Sequence, residues 1–243
     1  MDMPKGNSLF RLLKYAVRNG VFLTLTAIVL AGVYGFQTIK SSNYFPIHDV
    51  RVIGANRLDK AEVRETLEPL VTRGFFSVDV EYIRDRLLQM PWVSGITVRR
   101  TWPDGVEIHI NERRVIARWN KESLLSTEGD LFTPKESSYP EGIPEFIGPD
   151  GQQINMLKYF VNINRILVPL HAKISYLEMT PYQTWTLQLD NGMTLKIGHS
   201  DILTRLTHFV KVYPKIIGER AADVDYIDLR YSNGMAVKWK NAG

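Results

Sequence analysis

Five histidines are the residues best suited to metal or acid–base chemistry, and their spacing supports neither. They are His48, His109, His171, His199 and His208. No two of them stand four residues apart, as a metal pair on a helix requires, and none belongs to an HExxH motif. The sequence also lacks cysteine, a GxSxG nucleophile motif and a glycine-rich phosphate loop. We therefore predict no catalytic centre, no metal and no cofactor.

A group of acidic residues raises one enzymatic alternative. Glu122, Glu128 and Asp130 could supply the two carboxylates of a glycosidase. With 26 acidic residues in the chain, their closeness is better explained by chance. An anchored periplasmic hydrolase stays open as a minor alternative, because catalytic residues from distant segments meet only in the folded protein.

Positive charge is concentrated in the first 18 residues. The charged residues of this tail are Asp2, Lys5, Arg11, Lys14 and Arg18, which together carry +3 of the net charge of +4. The rest of the chain is almost neutral. Binding to nucleic acid requires a dense basic patch that neutralises phosphates. The charge distribution therefore predicts that nucleic acid is not a partner.

An uncharged segment of 21 residues, NGVFLTLTAIVLAGVYGFQTI, follows the tail at 19–39. A helix of this length spans about 31 Å, which matches the hydrocarbon core of a bilayer. The segment is longer than the apolar region of a signal peptide, although Ala31, Gly32 and Gly35 leave cleavage open. The basic tail 1–18 is expected in the cytoplasm by the positive-inside bias. We expect a single-pass membrane protein whose bulk lies in the periplasm or its equivalent.

Residues 40–115 show the pattern of a small domain with the order strand, helix, helix, strand, strand. Asp59 is the predicted N-cap of the first helix, and Pro91 ends the second. The stretch WVSGITVRRTWPDGVEIHINE then predicts two strands joined by a turn at 103–105. The predicted core consists of Val63, Leu67, Ile83, Leu87, Val98, Ile108 and Ile110.

This order resembles a POTRA domain, and three short motifs narrow the resemblance. They are PWV at 91–93, WPD at 102–104 and ARW at 117–119. A POTRA domain next to a membrane anchor with these motifs is similar to the FtsQ family of bacterial cell-division proteins, called DivIB in Gram-positive bacteria. The resemblance covers nearly the whole chain, from the basic tail through the anchor to a second domain.

Residues 116–243 are predicted to form that second domain, an antiparallel sheet with two packed helices at about 155–167 and 201–213. The expected fold class is therefore α+β. Two similar stretches, LDNGM at 189–193 and YSNGM at 231–235, predict two related hairpins.

The last hairpin has a specific predicted register. A three-residue turn, Ser232-Asn233-Gly234, with a left-handed Gly234 sets Leu229 opposite Val237, and Ile227 opposite Trp239. Since the sequence ends four residues after Trp239, we expect the strand Met235–Trp239 to be an uncovered sheet edge. From the residues alone, an edge blunted by Lys238 and Lys240 and an edge that receives a partner strand are equally acceptable.

The resemblance implies a scaffold of the division machinery, located in the cell inner membrane at the septum. It links early division components to septal cell-wall synthesis, binds FtsB and FtsL, contacts other divisome membrane proteins and takes no small-molecule substrate. The implied partner-binding residues are Arg230, Tyr231, Ser232, Asn233, Gly234, Met235, Ala236, Val237, Trp239 and His199, the last at a position where the family more often has arginine. Val98, Arg99 and Arg100 form a candidate second partner face, with a solvated edge as the alternative.

One further function class stays open. A POTRA-type chaperone for outer-membrane protein assembly or secretion would share the first domain. Such proteins normally carry several POTRA repeats or a β-barrel, and this sequence predicts one POTRA domain and no barrel.

Overall fold

The computed structural model describes residues 20–35, 37, 45–72, 74–231 and 234–240. Residues 20–35 are helical and form α1. None of the helices in these ranges combines the length and the hydropathy that a membrane crossing requires. The expected tail 1–18, and residues 19, 36, 38 and 39 of the expected span 19–39, lie outside the described residues.

The chain divides into two compact units. The first consists of residues 1–55, 59–89 and 95–111, and the second of residues 56–58, 90–94 and 112–243.

The first unit, which contains the expected POTRA domain and is called the POTRA unit below, has the predicted order of elements. These are β1 (Asp49–Ile53), α2 (Lys60–Val71), α3 (Val80–Leu88), β2 (Val93–Thr101) and β3 (Gly105–Glu112). The strands form a sheet in the order β1-β3-β2, in which β1 runs parallel to β3. The Asp59 side chain accepts a hydrogen bond from the Ala61 amide at 2.9 Å, which confirms the N-cap of α2.

The predicted core of this unit is confirmed at six of its seven positions. Val63, Leu67, Ile83, Leu87, Ile108 and Ile110 are buried. Val98 is half-buried instead. Its strand β2 is an edge of the sheet, and a side chain on an edge strand has a neighbouring strand on one side only.

The second unit contains one nine-stranded sheet and two long helices. Its strands are β4 (Val115–Trp119), β5 (Ser123–Ser126), β6 (Leu131–Phe132), β7 (Glu145–Ile147), β8 (Ile174–Met179), β9 (Trp185–Leu189), β10 (Thr194–Gly198), β11 (Val224–Asp228) and β12 (Ala236–Trp239). The helices are α4 (Gln153–Leu167) and α5 (Ile202–Ile216), and short 3-10 turns lie at Glu136–Ser138, Val168–Leu170 and Gly218–Asp223. Apolar side chains of both helices and of most strands share one core.

The sheet is mixed, so the prediction of an antiparallel sheet was wrong. Its order is β12-β11-β10-β9-β8-β7-β4-β5-β6. The pairs β4–β7, β7–β8 and β10–β11 are parallel. The physical reason is the position of the helices: α4 connects β7 to β8, and α5 connects β10 to β11, so each helix returns the chain to the same end of the sheet.

The β9–β10 hairpin has the predicted turn. Leu187 lies opposite Leu195, the Leu189 amide donates to the Met193 carbonyl at 2.9 Å, and Gly192 takes the left-handed conformation at φ 84°. A bulge then places Trp185 opposite Gly198.

The β11–β12 hairpin differs from its predicted register by two residues. Ile227, not Leu229, lies opposite Val237, and Trp239 lies opposite Val224 across a bulge. Ser232 and Asn233, two of the three predicted turn residues, lie outside the described residues. A shift of two residues keeps each side chain on its predicted face, because side chains alternate with a period of two.

Candidate partner-binding edge

Strand β12 lies at one edge of the nine-stranded sheet and pairs only with β11. Within the described ranges, no strand adjoins its other side. Such an edge leaves one row of backbone amide and carbonyl groups available for another strand.

The hydrogen bonds after β12 identify which backbone groups face the open side. The Lys240 amide donates to the Asp223 carbonyl at 2.7 Å. Backbone groups of successive residues in a strand point to alternate sides, so those of Ala236 and Lys238 also face β11. The groups of Val237 and Trp239 therefore face the open side. Of the implied partner-binding residues in this strand, Val237 and Trp239, and not Ala236, present their backbone groups to the open side.

The side chains of β12 hold the strand against its own domain. Met235, Val237 and Trp239 pack on the core. The guanidinium of Arg220 lies 4.1 Å from the centre of the Trp239 ring, a cation–π contact.

The two lysines of this edge are exposed and each contacts its own unit. Lys238 Nζ lies 3.0 Å from Asp225 Oδ2, and this bond raises the pKa of Lys238. Lys240 Nζ donates to the Ala222 carbonyl at 2.9 Å. Lysines protect an edge by projecting their charge across it, and these two make contacts with their own domain. The arrangement favours an open edge over a blunted one.

An ion pair closes the end of β11 next to the β11–β12 turn. Asp228 is only 5% exposed and accepts from Arg230 Nη2 at 2.6 Å and from Arg230 Nε at 2.9 Å. The Arg230 hydrogen bonds hold the pKa of Asp228 below its ordinary value. A partner carboxylate near Arg230 would therefore meet a guanidinium whose charge is already partly compensated.

A cavity of about 410 Å³ lies between the first turns of α5 and the end of the β11–β12 hairpin. From α5 it is lined by Asp201, Thr204, Arg205 and His208, and from the hairpin by Leu229, Tyr231, Gly234 and Met235. Tyr231 is 59% exposed. The mixture of an apolar wall with a few polar groups is typical of a site that accepts a side chain.

Arg205 fixes the geometry of this cavity, and the sequence analysis missed it. Its Nη1 donates to the Leu229 carbonyl at 2.9 Å and to the Ile197 carbonyl at 3.2 Å, and its Nη2 donates to Ser200 Oγ at 3.3 Å. One guanidinium thus joins α5, β10 and the end of β11. Its position three residues after Ile202 on an amphipathic helix gave no signal that distinguished it from a solvated arginine.

His199 lies in the loop between β10 and α5 and is exposed. A side chain at the preceding Gly198 would meet Arg230 Cγ at 3.3 Å. The loop that carries His199 therefore lies against Arg230, and the two residues of the predicted site are brought to the same end of the sheet.

The chain matches two family models. Residues 117–230 match the model described as cell division protein FtsQ/DivIB, C-terminal, and residues 45–113 match the POTRA domain, FtsQ-type. Similar proteins include a cell division protein FtsQ from Coxiella burnetii, 35% identical over 85% of this chain and 86% of its own length. The chain belongs to the FtsQ family. Relatives of the same name from Burkholderia pseudomallei and Escherichia coli are 30% and 29% identical, over 80% and 88% of this chain and 80% of each relative.

The candidate second face lies within the match to the FtsQ-type POTRA domain. Val98, Arg99 and Arg100 belong to β2, an edge strand of the three-stranded sheet. Arg100 Nη2 donates to the Val78 carbonyl at 2.6 Å, so this side chain supports the start of α3. Arg99 is exposed and Val98 is half-buried. Arg100 is exposed as well, so both arginines of this face are accessible.

A metal site requires side chains that could bind the metal to stand close together. In the described part of the chain, no three His, Asp or Glu side chains stand close enough to hold a metal ion.

Proposed function

We propose that the chain is a bitopic scaffold of the bacterial divisome that binds FtsB and FtsL through β12. In this role it links early division components to septal cell-wall synthesis and performs no chemistry itself. The observation that carries the proposal is the open edge of β12, where the backbone groups of Val237 and Trp239 face away from β11.

Strand addition fits the geometry of this edge. An added strand would take its affinity from the open backbone groups and its specificity from side-chain sites beside them. The cavity next to Tyr231 offers such a site, with Leu229 and Met235 as its apolar wall and Arg205 as a cation. A partner segment with an extended strand and one large side chain adjacent to it would satisfy both features.

The membrane part of the proposal rests on the sequence. The uncharged segment 19–39 and the basic tail before it support a single-pass anchor with the second unit in the periplasm. The names of the similar proteins, cell division protein FtsQ, support a place at the septum.

The proposal is tested by two substitutions at the edge, assayed with a soluble fragment of FtsB. Val237→Pro removes an amide that faces the open side and leaves the β11 ladder its donors. Tyr231→Ala removes an exposed ring beside the cavity. Each is expected to weaken binding at least about tenfold, because truncating a central interface residue costs on the order of 1–2 kcal/mol or more.

Matched controls separate binding from folding. Tyr182 is 88% exposed in the loop between β8 and β9, so Tyr182→Ala should fold and bind like the parent. Amide exchange at Lys240 should be unchanged in Val237→Pro if β12 stays paired. If Val237→Pro and Tyr231→Ala fold and bind like the parent, the partner docks elsewhere and β12 is a capped edge.

A cellular experiment distinguishes the scaffold from the chaperone alternative. Depletion of a divisome scaffold should give long filaments without septa. Loss of outer-membrane proteins without filamentation would support the POTRA-type chaperone instead.

A further inference from the structure

Several aromatic side chains of the POTRA unit are exposed, among them Phe45, Phe76 and Trp102. Trp102 is 80% exposed, Phe45 48% and Phe76 45%. Groups of exposed apolar side chains on a folded domain commonly mark a contact surface. We refer to Phe45, Phe76 and Trp102 as the aromatic end.

The three residues lie at one end of the unit. The Phe45 and Phe76 rings pack edge to face with their centres 5.3 Å apart, and the Phe75 amide donates to the Phe45 carbonyl at 2.7 Å. Three residues further on, the His48 amide donates to the Asp104 carbonyl at 3.0 Å. This bond places the turn that carries Trp102 beside the start of β1, roughly 10 Å along the chain from Phe45.

Chain connectivity brings this same end close to the apolar segment. Phe45 stands six positions after residue 39, and a fully extended chain of that length reaches at most about 20 Å. If the segment 19–39 spans a bilayer, as the proposed function requires, the aromatic end cannot lie far from the membrane surface.

The chemistry of the aromatic end suits a lipid surface. Tryptophan and other aromatic side chains favour the headgroup region, where an apolar ring and a polar edge are both accommodated. In the sequence, the acidic residue nearest to Trp102 is Asp104, and its Oδ2 lies 3.1 Å from His48 Nδ1.

We infer that the POTRA unit docks on the lipid headgroup region of the membrane through Phe45, Phe76 and Trp102. This inference rests on the membrane anchor of the proposed function. Docking would hold the POTRA unit against the bilayer and limit the orientations it can adopt there.

The test uses the full chain reconstituted in bilayers, with lipids brominated on their acyl chains as the probe. Such lipids quench tryptophans that reach the bilayer interface. The parent should lose about one fifth of its tryptophan emission relative to ordinary lipids, because Trp102 is one of five tryptophans. Trp102→Phe should abolish this quenching. Phe76→Ser should weaken the quenching, and Trp102 remains in that variant as the fluorescent probe. Circular dichroism and melting of both variants should match the parent.

The outcomes separate this inference from the proposed function. Co-flotation of the chain with the bilayer reports the anchor, and quenching reports the docking. If the chain floats with the bilayer and shows no quenching, the docking inference is wrong and the anchor stands. The aromatic end would then be a candidate contact surface for a protein partner. Quenching that persists in Trp102→Phe also overturns the docking inference. A chain that does not float overturns both the anchor and the docking.

Discussion

Asp228 and Arg230 form a two-pronged ion pair within three consecutive residues, with contacts of 2.6 and 2.9 Å between guanidinium and carboxylate. The Asp228 carboxylate also accepts from the Arg230 amide at 3.0 Å. The pair fixes the direction of the chain as it leaves β11. Since Arg230 and Tyr231 are adjacent, the same pair helps to set where Tyr231 stands beside the cavity.

The Asp228 pair predicts a pH dependence of stability. The Arg230 hydrogen bonds lower the pKa of Asp228 from its ordinary 3.8 in the folded protein. A lowered folded-state pKa contributes stability that is complete above the unfolded value and is lost as pH falls through the folded value. We expect the free energy of unfolding of the second unit to decline below about pH 4, measured by chemical denaturation.

Asp228→Asn supplies the control for this prediction. Glu107 and Glu128 also have lowered pKa values, through His109 and Thr127, and contribute in the same direction. Because the Asn variant keeps those groups, the difference between the parent and variant curves isolates Asp228. Two curves that remain parallel below pH 4 would contradict the assignment.

Two adjacent leucines of α3 test the packing of the POTRA unit. Leu87 is fully buried, and Leu88 is 40% exposed. Leu87→Ala should cost about 2–5 kcal/mol of stability through the cavity it creates, whereas Leu88→Ala should cost roughly 0.5 kcal/mol or less. Hydrogen exchange of the β1 and β3 amides in the full chain measures the loss of stability in each variant. Equal protection in the two variants would show that α3 is rotated about its axis.

Local patterns predicted much of this fold. Ile83 and Leu87 stand four residues apart before Pro91, and this spacing alone identified α3 and its buried face. The stretch LDNGM likewise predicted the β9–β10 turn, because a glycine at position 192 suits a left-handed residue.

The remaining features depend on contacts between distant residues. The β11–β12 hairpin contains a bulge at 224–226 and an Asp228–Arg230 pair beside its turn, neither of which the turn sequence encodes. The parallel pairs β7–β8 and β10–β11 follow from the crossovers through α4 and α5. In the candidate site, Tyr231 and Val237 were found from the hairpin and the family resemblance. Arg205 was not, because its acceptors at Ile197 and Leu229 are eight and 24 residues away.

The proposed membrane anchor yields a prediction about topology and mass. A reporter that is active only in the periplasm, fused after Gly243, should be active, because the proposed topology keeps the basic tail in the cytoplasm. The protein should migrate at its full 27.9 kDa. A mature species shorter by about 4 kDa at its N-terminus would indicate a cleaved signal peptide instead.

Arg205 yields the prediction that connects the packing of the second unit to its proposed partner site. Arg205→Lys keeps the positive charge but loses the planar fork that reaches Leu229, Ile197 and Ser200 together. We expect the free energy of unfolding to fall by about 1–3 kcal/mol, faster exchange of the β12 amides, and weaker binding of the FtsB fragment. Arg165→Lys on α4 is the matched control, because Arg165 makes only a 3.4 Å contact with Asn162 and should change none of the three. If Arg205→Lys leaves β12 exchange at the parent level while binding still falls, Arg205 contacts the partner directly. If amide exchange in β12 and binding of the FtsB fragment both stay at the parent level, the contacts of Arg205 are not needed to hold the β11–β12 hairpin in place.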